Sequence, residues 1–245
     1  SGGVALIEAL NILSGYDLAQ VDAVTRKHLI VEAMRRMQRD RAVYLGDPAF
    51  VSMPVKMLTD PDYAAGLRTS IRLDRATPSA TLASAPEAHT GGVNTTHFSI
   101  LDKDGNRVAG TITLNAGFGS GLVVDGTGML LNNQMDDFSV KPGVPNIYGL
   151  IGASANAIAP GKRMLSSITP TFVEGPRGYM IVGSPGGSLI TGMVLLATLD
   201  WMDGKSAQQI VAAPRIHHQY QPDVLTYEAA ALTAEEKTEL ARRGH

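Results

Sequence analysis

The sequence contains no cysteine. Disulfide bonds, thiolate nucleophiles and cysteine-ligated zinc are therefore excluded. It also lacks any run of about 18 apolar residues, so we expect no membrane-spanning helix. Its 21 Lys and Arg residues against 23 Asp and Glu residues give a net charge of −2. This balance does not supply the basic surface that is typical of nucleic-acid-binding proteins.

The ends of the sequence lack the features of a complete gene product. There is no initiator methionine and no signal-peptide pattern at Ser1-Gly2-Gly3, and the last residues, 242–245, come just after a predicted helix. Both ends are therefore interpreted as boundaries of a fragment. The 245 residues, 44% hydrophobic and 18% charged, otherwise have an ordinary globular composition and are numerous enough to bury a core.

Hydrophobic periodicity predicts three helices in the first third of the chain, over residues 4–13, 21–42 and 61–68. The third begins with Asp60 as N-cap and Pro61 in the first helical position.

Arginines cluster in the second of these helices, at positions 35, 36, 39 and 41. At helical spacing such a cluster is more typical of a solvated face than of a binding patch. We therefore expect Arg35, Arg36, Arg39 and Arg41 to be exposed.

Residues 75–94 have no periodicity and are rich in small residues and proline. This composition predicts an exposed loop, the kind of segment in which cleavage is tolerated.

A β-hairpin is predicted directly after this loop. Thr95–Asp102 and Asn106–Asn115 flank Lys103-Asp104-Gly105, with glycine where a left-handed residue is needed. The three-residue loop pairs Asp102 with Asn106, which fixes the register of both strands.

This register brings polar side chains to one face of the hairpin. It places Thr95 opposite Thr113, and His97 opposite Thr111. From the pattern alone, the commoner interpretation is the solvent face of an antiparallel sheet. The alternative is a site built around Thr95.

The remaining elements are predicted from alternation and capping signals. Strands are predicted near residues 128–135, 147–151, 168–174 and 178–183, and helices near 189–202, 207–212 and 234–243. Ser206 with Gln209, and Thr233 with Glu236, fit capping boxes at the last two helix starts.

Thr95 gains a specific chemistry if the chain is cut between Asn94 and Thr95. It would then carry a free α-amine beside its own hydroxyl, so that one residue holds both base and nucleophile for acyl transfer. In the uncut chain the same nitrogen is an amide and has no basicity.

Three other segments carry groups that are suited to binding a substrate. Gly186-Gly187, at a helix start, presents unhindered backbone N–H groups suited to an oxyanion, although a tight turn explains the pair as well. Residues 132–137 combine amides and carboxylates that suit an ammonium group or a cation, or form a plain loop. Ser166-Ser167 offers two hydroxyls for a carboxylate, but serine pairs are common.

Other motifs argue against competing chemistries. Gly119-Ser120-Gly121 precedes a strand-like run, which excludes a dinucleotide-binding turn. His217-His218 are adjacent and face different sides, so no metal site is predicted. Ser184 lacks a glycine two residues before it, which argues against a serine hydrolase elbow. No cofactor is predicted.

Several ordered segments resemble the γ-glutamyltransferase family. Near Thr95 they are Thr-Thr-His-Phe-Ser (95–99) and Thr-Leu-Asn (113–115). The others are the runs at 44–48, 130–139, 141–146, 162–171, 183–188 and 213–219. The resemblance covers nearly the whole chain.

The resemblance implies an α+β fold of the N-terminal nucleophile hydrolase type, an αββα sandwich with two stacked antiparallel sheets between helical layers. Residues 1–94 resemble the C-terminal part of a large subunit, and residues 95–245 most of a small subunit. Both would come from one precursor that cuts itself before Thr95. An upstream arginine of the large subunit and the tail of the small subunit are expected to lie outside this chain.

The implied activity is transfer of the γ-glutamyl group of glutathione, or of another γ-glutamyl compound, to water or to an amino-acid or peptide acceptor. Thr95 would be the nucleophile, with Thr113 hydrogen-bonded to it. The implied binding residues are Asn115, Gln134 and Asp137 for the α-ammonium, Ser166 and Ser167 for the α-carboxylate, and Gly186 and Gly187 for the oxyanion.

Two alternatives stay open. One is a relative with the same nucleophile and another acyl group, of the cephalosporin acylase, poly-γ-glutamate depolymerase or oxamate amidohydrolase type. The other is an inactive fragment, for which no cut between Asn94 and Thr95 is expected. Because bacterial members of the family are usually exported, a periplasmic or secreted location is expected.

Overall fold

The computed structural model describes residues 2–82 and 95–245, so Asn94 and residues 83–93 of the predicted loop lie outside the described residues. In the described part of that loop the expected exposure is wrong for Ser79, which is fully buried because it accepts from Arg35 and donates its N–H to Asp223, each at 2.7 Å. The helices are α1 (Gly2–Leu13), α2 (Ala23–Tyr44), α3 (Val55–Leu58), α4 (Pro61–Arg68), α5 (Ile190–Met202), α6 (Ala207–Ala212) and α7 (Ala234–Arg242). The strands are β1 (Thr96–Leu101), β2 (Arg107–Ile112), β3 (Val123–Val124), β4 (Met129–Leu130), β5 (Thr171–Gly175), β6 (Gly178–Val182), β7 (Ile216–His217) and β8 (Thr226–Tyr227).

The main core lies around α1, which packs against both α2 and α5. Helix α1 is apolar over most of its circumference, which is typical of a helix buried on several sides. Ile12 of α1, Met34 of α2 and Leu195 of α5 are each fully buried there. This core joins the segment before the undescribed residues to the segment after them.

The predicted helix starts are confirmed. Asp60 accepts a hydrogen bond from the N–H of Asp62 at 2.7 Å, with Pro61 in the first turn of α4. Ser206 and Thr233 each form a reciprocal capping box, at the starts of α6 and α7.

The prediction of an exposed arginine face is wrong. Arg35 and Arg36 are 1% exposed and Arg41 is 6% exposed, while Arg39 is half-buried. The physical reason is pairing: Arg36 donates to Glu32 at 2.6 Å, Arg35 pairs with Asp223, and Arg41 donates to Ser167. Two of these partners come from the distant half of the chain, so helical spacing alone did not reveal them.

The predicted hairpin register is confirmed. Strands β1 and β2 pair antiparallel with His97 opposite Thr111, and Gly105 in the turn has φ of 87°. The solvent-face interpretation of the polar side is wrong, because Thr95 and His97 are half-buried while Ile112 on the opposite face is 64% exposed. The polar face of the hairpin therefore points into the protein.

Two predicted strands are corrected. Of 128–135, only Met129–Leu130 is a strand, because the side chains that follow bond to the backbone instead of leaving it to a ladder: Asn132 accepts from Gln134 N at 2.9 Å. Residues 147–151 form a turn, in which Asn146 accepts from Tyr148 N and Leu150 N, each at 3.0 Å.

The α+β class is confirmed. Within the described residues, β1–β2, β3–β4, β5–β6 and β7–β8 form four antiparallel two-stranded sheets, and β2 lies beside β6. The predicted strands 168–174 and 178–183 correspond to β5 and β6. None of the helices in the described part of the chain is both long and apolar enough to cross a membrane.

A buried acid pair between α1 and α2 makes the fold sensitive to pH. Glu8 and Asp40 are each 1% exposed, and Tyr63 donates to Asp40 at 2.6 Å. Burial, and then the charge of Asp40, raise the pKa of Glu8 from 4.5 to about 9. Glu8 is therefore protonated at neutral pH.

We expect Glu8→Gln to weaken the decrease in the free energy of unfolding that occurs as pH rises. Because the pKa of Glu8 is raised in the folded state, its contribution is fully present below pH 4.5 and is lost as pH rises toward about 9. Glutamine is neutral throughout, so the free energy of unfolding of Glu8→Gln should fall less between pH 6 and 9. Urea unfolding measures this, with the exposed Asp125→Asn as control; equal slopes for wild type and Glu8→Gln would contradict the assignment.

Candidate active site

Thr95 lies at the start of β1, and its hydroxyl is held by the neighbouring strand. Thr95 Oγ1 donates to Thr113 Oγ1 at 3.1 Å, and Thr113 Oγ1 also accepts from the N–H of Asn115 at 2.8 Å. The hairpin register positions this pair, because Thr95 and Thr113 continue the ladder of β1 and β2 by one step. The two hydroxyls therefore have a defined mutual orientation.

Asn115 turns the chain sharply after β2. It has φ of 76°, a conformation that asparagine tolerates better than most residues, and it is 4% exposed. Its side chain donates to the carbonyl of Asn133 at 3.3 Å, and Asn133 Oδ1 accepts from Ala116 N at 2.9 Å. These bonds connect the end of β2 to the turn that carries Gln134 and Asp137.

Tyr148 covers this part of the site. Its hydroxyl donates to the carbonyl of Asn115 at 2.6 Å, and the residue is 3% exposed. Burial, with smaller contributions from Asp137 and Asp136, raises the pKa of Tyr148 to about 12, so the hydroxyl keeps its proton. Sequence reasoning missed this residue because it placed a strand there, although Pro145-Asn146 is a turn signal.

Asp137 is the acidic group of the site. Burial and the neighbouring Asp136 raise its pKa, Arg41 lowers it, and the result is a pKa of about 6. Arg41 comes from α2, on the other side of the undescribed residues, and burial lowers its pKa to about 10, so it remains a cation at neutral pH. An anion and a cation thus lie close together in a site with little solvent.

Ser166 and Ser167 lie in an irregular segment beside Asp137. Ser167 Oγ accepts from Arg41 Nη2 at 2.9 Å, and Ser166 Oγ accepts from Ile168 N at 3.2 Å. Sequence reasoning missed Arg41 because it assigned the whole arginine cluster to solvent. No local signal identifies Arg41, because its partner Ser167 lies 126 positions later in the chain.

Gly186 and Gly187 lead into the short 3₁₀ turn that precedes α5. Both have positive φ, 130° and 56°, which favours glycine. A Cβ at Gly187 would lie 2.6 Å from the ring of Tyr148. The close approach of this ring and the backbone conformation together require glycine at position 187.

Most of these groups line one cavity of about 10 Å³. Its lining consists of Thr95, Thr113, Asn115, Asp137, Tyr148, Ser166, Ser167, Ile168, Gly187 and Ile190. Of the predicted site residues that the structure describes, Gln134 and Gly186 are outside this lining. The enclosed part of the cavity has room for about one water molecule.

The two adjacent histidines bond to different partners. His217 bonds to Gln219 at 3.1 Å and His218 to Asp223 at 3.1 Å, so their imidazoles do not converge. Among the described residues there is no group of three or more His, Asp and Glu side chains placed to hold a metal ion.

The chain is similar to known proteins over its whole length. The family described as Gamma-glutamyltranspeptidase matches residues 1–245. A glutathione hydrolase proenzyme of Pseudomonas sp. (strain A14) is 47% identical over 237 residues, which are 95% of this chain and 41% of that protein. The chain thus spans about two fifths of the length of the curated relatives it matches.

Solved structures agree with these similarities. An acivicin-inhibited gamma-glutamyltranspeptidase is 47% identical with a TM-score of 0.59, over 61% of this chain and 81% of that chain. A cephalosporin acylase from Bacillus halodurans is 29% identical with a TM-score of 0.77, over 100% of this chain and 42% of that chain.

Proposed function

Because the chain belongs to the gamma-glutamyltranspeptidase family, we propose that it is the core of a γ-glutamyltransferase and glutathione hydrolase with Thr95 as nucleophile. The observation that carries this proposal is the shared cavity: Thr95 Oγ1 lies 3.1 Å from Thr113 Oγ1, and the same lining contains Asp137, Ser166 and Ser167. A nucleophile, an anion for an ammonium group and hydroxyls for a carboxylate are thus within reach of one amino-acid head group.

The first proposed step is cleavage between Asn94 and Thr95. Thr95 Oγ attacks the Asn94 carbonyl, the peptide nitrogen leaves as the α-amine of Thr95, and water hydrolyses the resulting ester. Residues 1–94 then belong to the large subunit and residues 95–245 to the small subunit. The new α-amine, with an ordinary pKa near 8, is a suitable base for the adjacent hydroxyl.

The second step is acyl transfer. Thr95 Oγ attacks the γ-carbonyl of the donor, the leaving amine takes the proton from the Thr95 amine, and an ester to Thr95 remains. Water, an amino acid or a peptide then releases the γ-glutamyl group. Backbone N–H groups of Gly186 and Gly187 are proposed to bind the developing oxyanion.

The donor head group is proposed to lie between two sets of residues. Asp137, with Asn115 and Gln134, holds the α-ammonium, because an ionised carboxylate makes a strong charge-assisted hydrogen bond to it. Ser166 and Ser167 hold the α-carboxylate. Arg41 supports both sets, since it donates to Ser167 and lowers the pKa of Asp137.

The KM of the donor should depend on the titration of Asp137. Its pKa of about 6 means that Asp137 is ionised above pH 6 and neutral below it. Below pH 6 we expect KM to rise about tenfold per pH unit, because only the ionised form attracts the ammonium. Asp137→Asn should have a high KM that is flat from pH 5 to 7. A wild-type KM that is also flat would contradict this role. The protonation of the Thr95 amine is expected to affect kcat and not KM, so the two titrations can be separated.

A second candidate is an acylase with another acyl group, which the similarity to cephalosporin acylase favours. An acyl group without an α-ammonium has no cation that could bind the Asp137 carboxylate. The deciding experiment compares hydrolysis of γ-glutamyl anilide with that of glutaryl anilide, which lacks the ammonium. Preference for the first supports the glutamyl function, and preference for the second supports the acylase.

Intact mass after prolonged incubation tests the first step. Two fragments that meet between Asn94 and Thr95 support the proposal. A single 25.9 kDa species that also fails to hydrolyse the anilide supports the inactive alternative.

The proposed location is the periplasm or the exterior of the cell, as the family resemblance implies. Fractionation of cells that express the complete gene, with a cytoplasmic enzyme as marker, tests it. Recovery of the protein with the marker would contradict the proposal.

A further inference from the structure

The serine pair of the site lies in a segment without regular structure. Residues 162–170 are neither helix nor strand, yet Ser166 and Ser167 line the cavity beside Thr95. A segment that has no helical or strand hydrogen bonds is positioned by its contacts with other parts of the protein. The segment therefore needs an anchor outside itself.

Besides Arg41, which donates to Ser167 Oγ, the segment has a second anchor in Asp47. Its carboxylate accepts three hydrogen bonds from Arg163: from the backbone N–H at 2.8 Å, from Nε at 3.1 Å and from Nη2 at 2.7 Å. The side chain of Asp47 is 1% exposed, whereas that of Arg163 is 72% exposed. These bonds hold the pKa of Asp47 well below its usual range, so the carboxylate stays ionised.

Asp47 is itself held rigidly. It accepts from Ala49 N at 3.1 Å, which closes a local turn. The preceding Gly46 approaches the carbonyl of Ala155 so closely that a Cβ would lie 2.3 Å from it. Leu45, two residues before Asp47, shares a small buried cluster with Leu165. The segment that carries Asp47 and the segment that carries the two serines are thus packed against each other.

We propose that Asp47 is a positioning residue that sets Ser166 and Ser167 for the α-carboxylate of the donor, an inference that rests on the proposed function. Arg163 lies only three residues before Ser166, and Asp47 binds both its backbone and its side chain. A shift of Arg163 therefore moves the serine hydroxyls relative to Thr95. Since Asp47 belongs to the part before the cut and Arg163 to the part after it, selection for a carboxylate depends on both parts.

Two amino acids that differ only in the α-carboxylate test the proposal. L-glutamate has it, and 4-aminobutyrate does not, while the amine and the other carboxylate are common to both. Ligand-observed NMR titration of the full chain gives the ratio of their affinities. We expect wild type to prefer L-glutamate by about tenfold or more, as for hydrogen bonds to a charged group. Asp47→Asn should reduce this preference to about twofold or less, because an amide N–H would face the Arg163 donors.

Two further variants make the result decisive. Asp104→Asn, in the exposed hairpin turn, is the control and should keep the wild-type preference. Arg163→Ala removes the two side-chain bonds but keeps the backbone bond, so it should lose only part of the preference. If Asp47→Asn is unfolded by circular dichroism, Arg163→Ala decides, and an unchanged preference overturns the proposal.

The other outcomes separate this inference from its premise. A preference that survives in folded Asp47→Asn, or an equal loss of affinity for both amino acids, contradicts the positioning role of Asp47 alone. A wild-type protein that binds L-glutamate no better than 4-aminobutyrate contradicts the proposed glutamyl site itself.

Discussion

Thr95→Ala is expected to remain a single uncut chain and to lose acyl transfer by a factor on the order of 10⁴ or more, the scale seen when a covalent nucleophile is removed. The substitution removes the only atom proposed both to attack the Asn94 carbonyl and to accept the acyl group. Gel electrophoresis and intact mass measure the cut, and γ-glutamyl anilide hydrolysis measures turnover.

Two neighbouring variants control this experiment. Thr95→Ser keeps a hydroxyl and should retain part of both activities. Thr96→Ala changes the exposed neighbour on the opposite face of β1, and should be cut and active. If Thr95→Ala were recovered as two fragments, self-cleavage by this residue would be refuted.

Gly187→Ala is expected to lower kcat by about 10² to 10³, comparable to the loss of one oxyanion donor. The added Cβ would lie 2.6 Å from the ring of Tyr148, at a residue whose φ is 56°. Either the ring or the backbone N–H must therefore move. Steady-state kinetics with γ-glutamyl anilide measures the effect.

Gly128→Ala separates the two causes. Gly128 has a similar φ of 70°, but no atom lies within 4 Å of its Cβ position. It carries the backbone strain without the contact and should lose stability but little activity. The double variant Gly187→Ala with Tyr148→Ala relieves the contact. If Gly187→Ala lowers the melting temperature as much in the Tyr148→Ala background as in wild type, the ring is not the obstacle.

Local patterns in the sequence predicted local structure well. The loop at Lys103-Asp104-Gly105 set the register of the hairpin, and the pairing of Thr95 with Thr113 follows from that register. Capping boxes at Ser206 and Thr233 marked helix starts for the same reason. In each case the contacts that determine the structure join residues close in sequence, so the spacing of residue types is enough to predict them.

Contacts between distant segments could not be predicted in this way. Arg41 looks like one more charge on a helix, because its partner Ser167 lies 126 positions later in the chain. The polar face of the hairpin was assigned to solvent because alternation does not say which side a protein covers. Tyr148 was placed in a strand at 147–151, but the turn signal of Asn146 governs the structure there.

The candidate site was identified mainly by resemblance. The residues alone left Gly186-Gly187, Ser166-Ser167 and the 132–137 segment as separate weak signals, since nothing in their spacing shows that they meet. The structure brings Thr95, Asp137 and the serines to one cavity, and leaves Gln134 outside its lining.

The pairing of Arg41 with Ser167, and of Asp47 with Arg163, has a consequence for refolding. In the uncut chain these partners meet at the high effective concentration that a covalent connection provides. After the proposed cut, an unfolded molecule would be two polypeptides, and their reunion would be bimolecular and would slow on dilution. The proposed maturation would thus make the persistence of the fold depend on how slowly the two parts come apart.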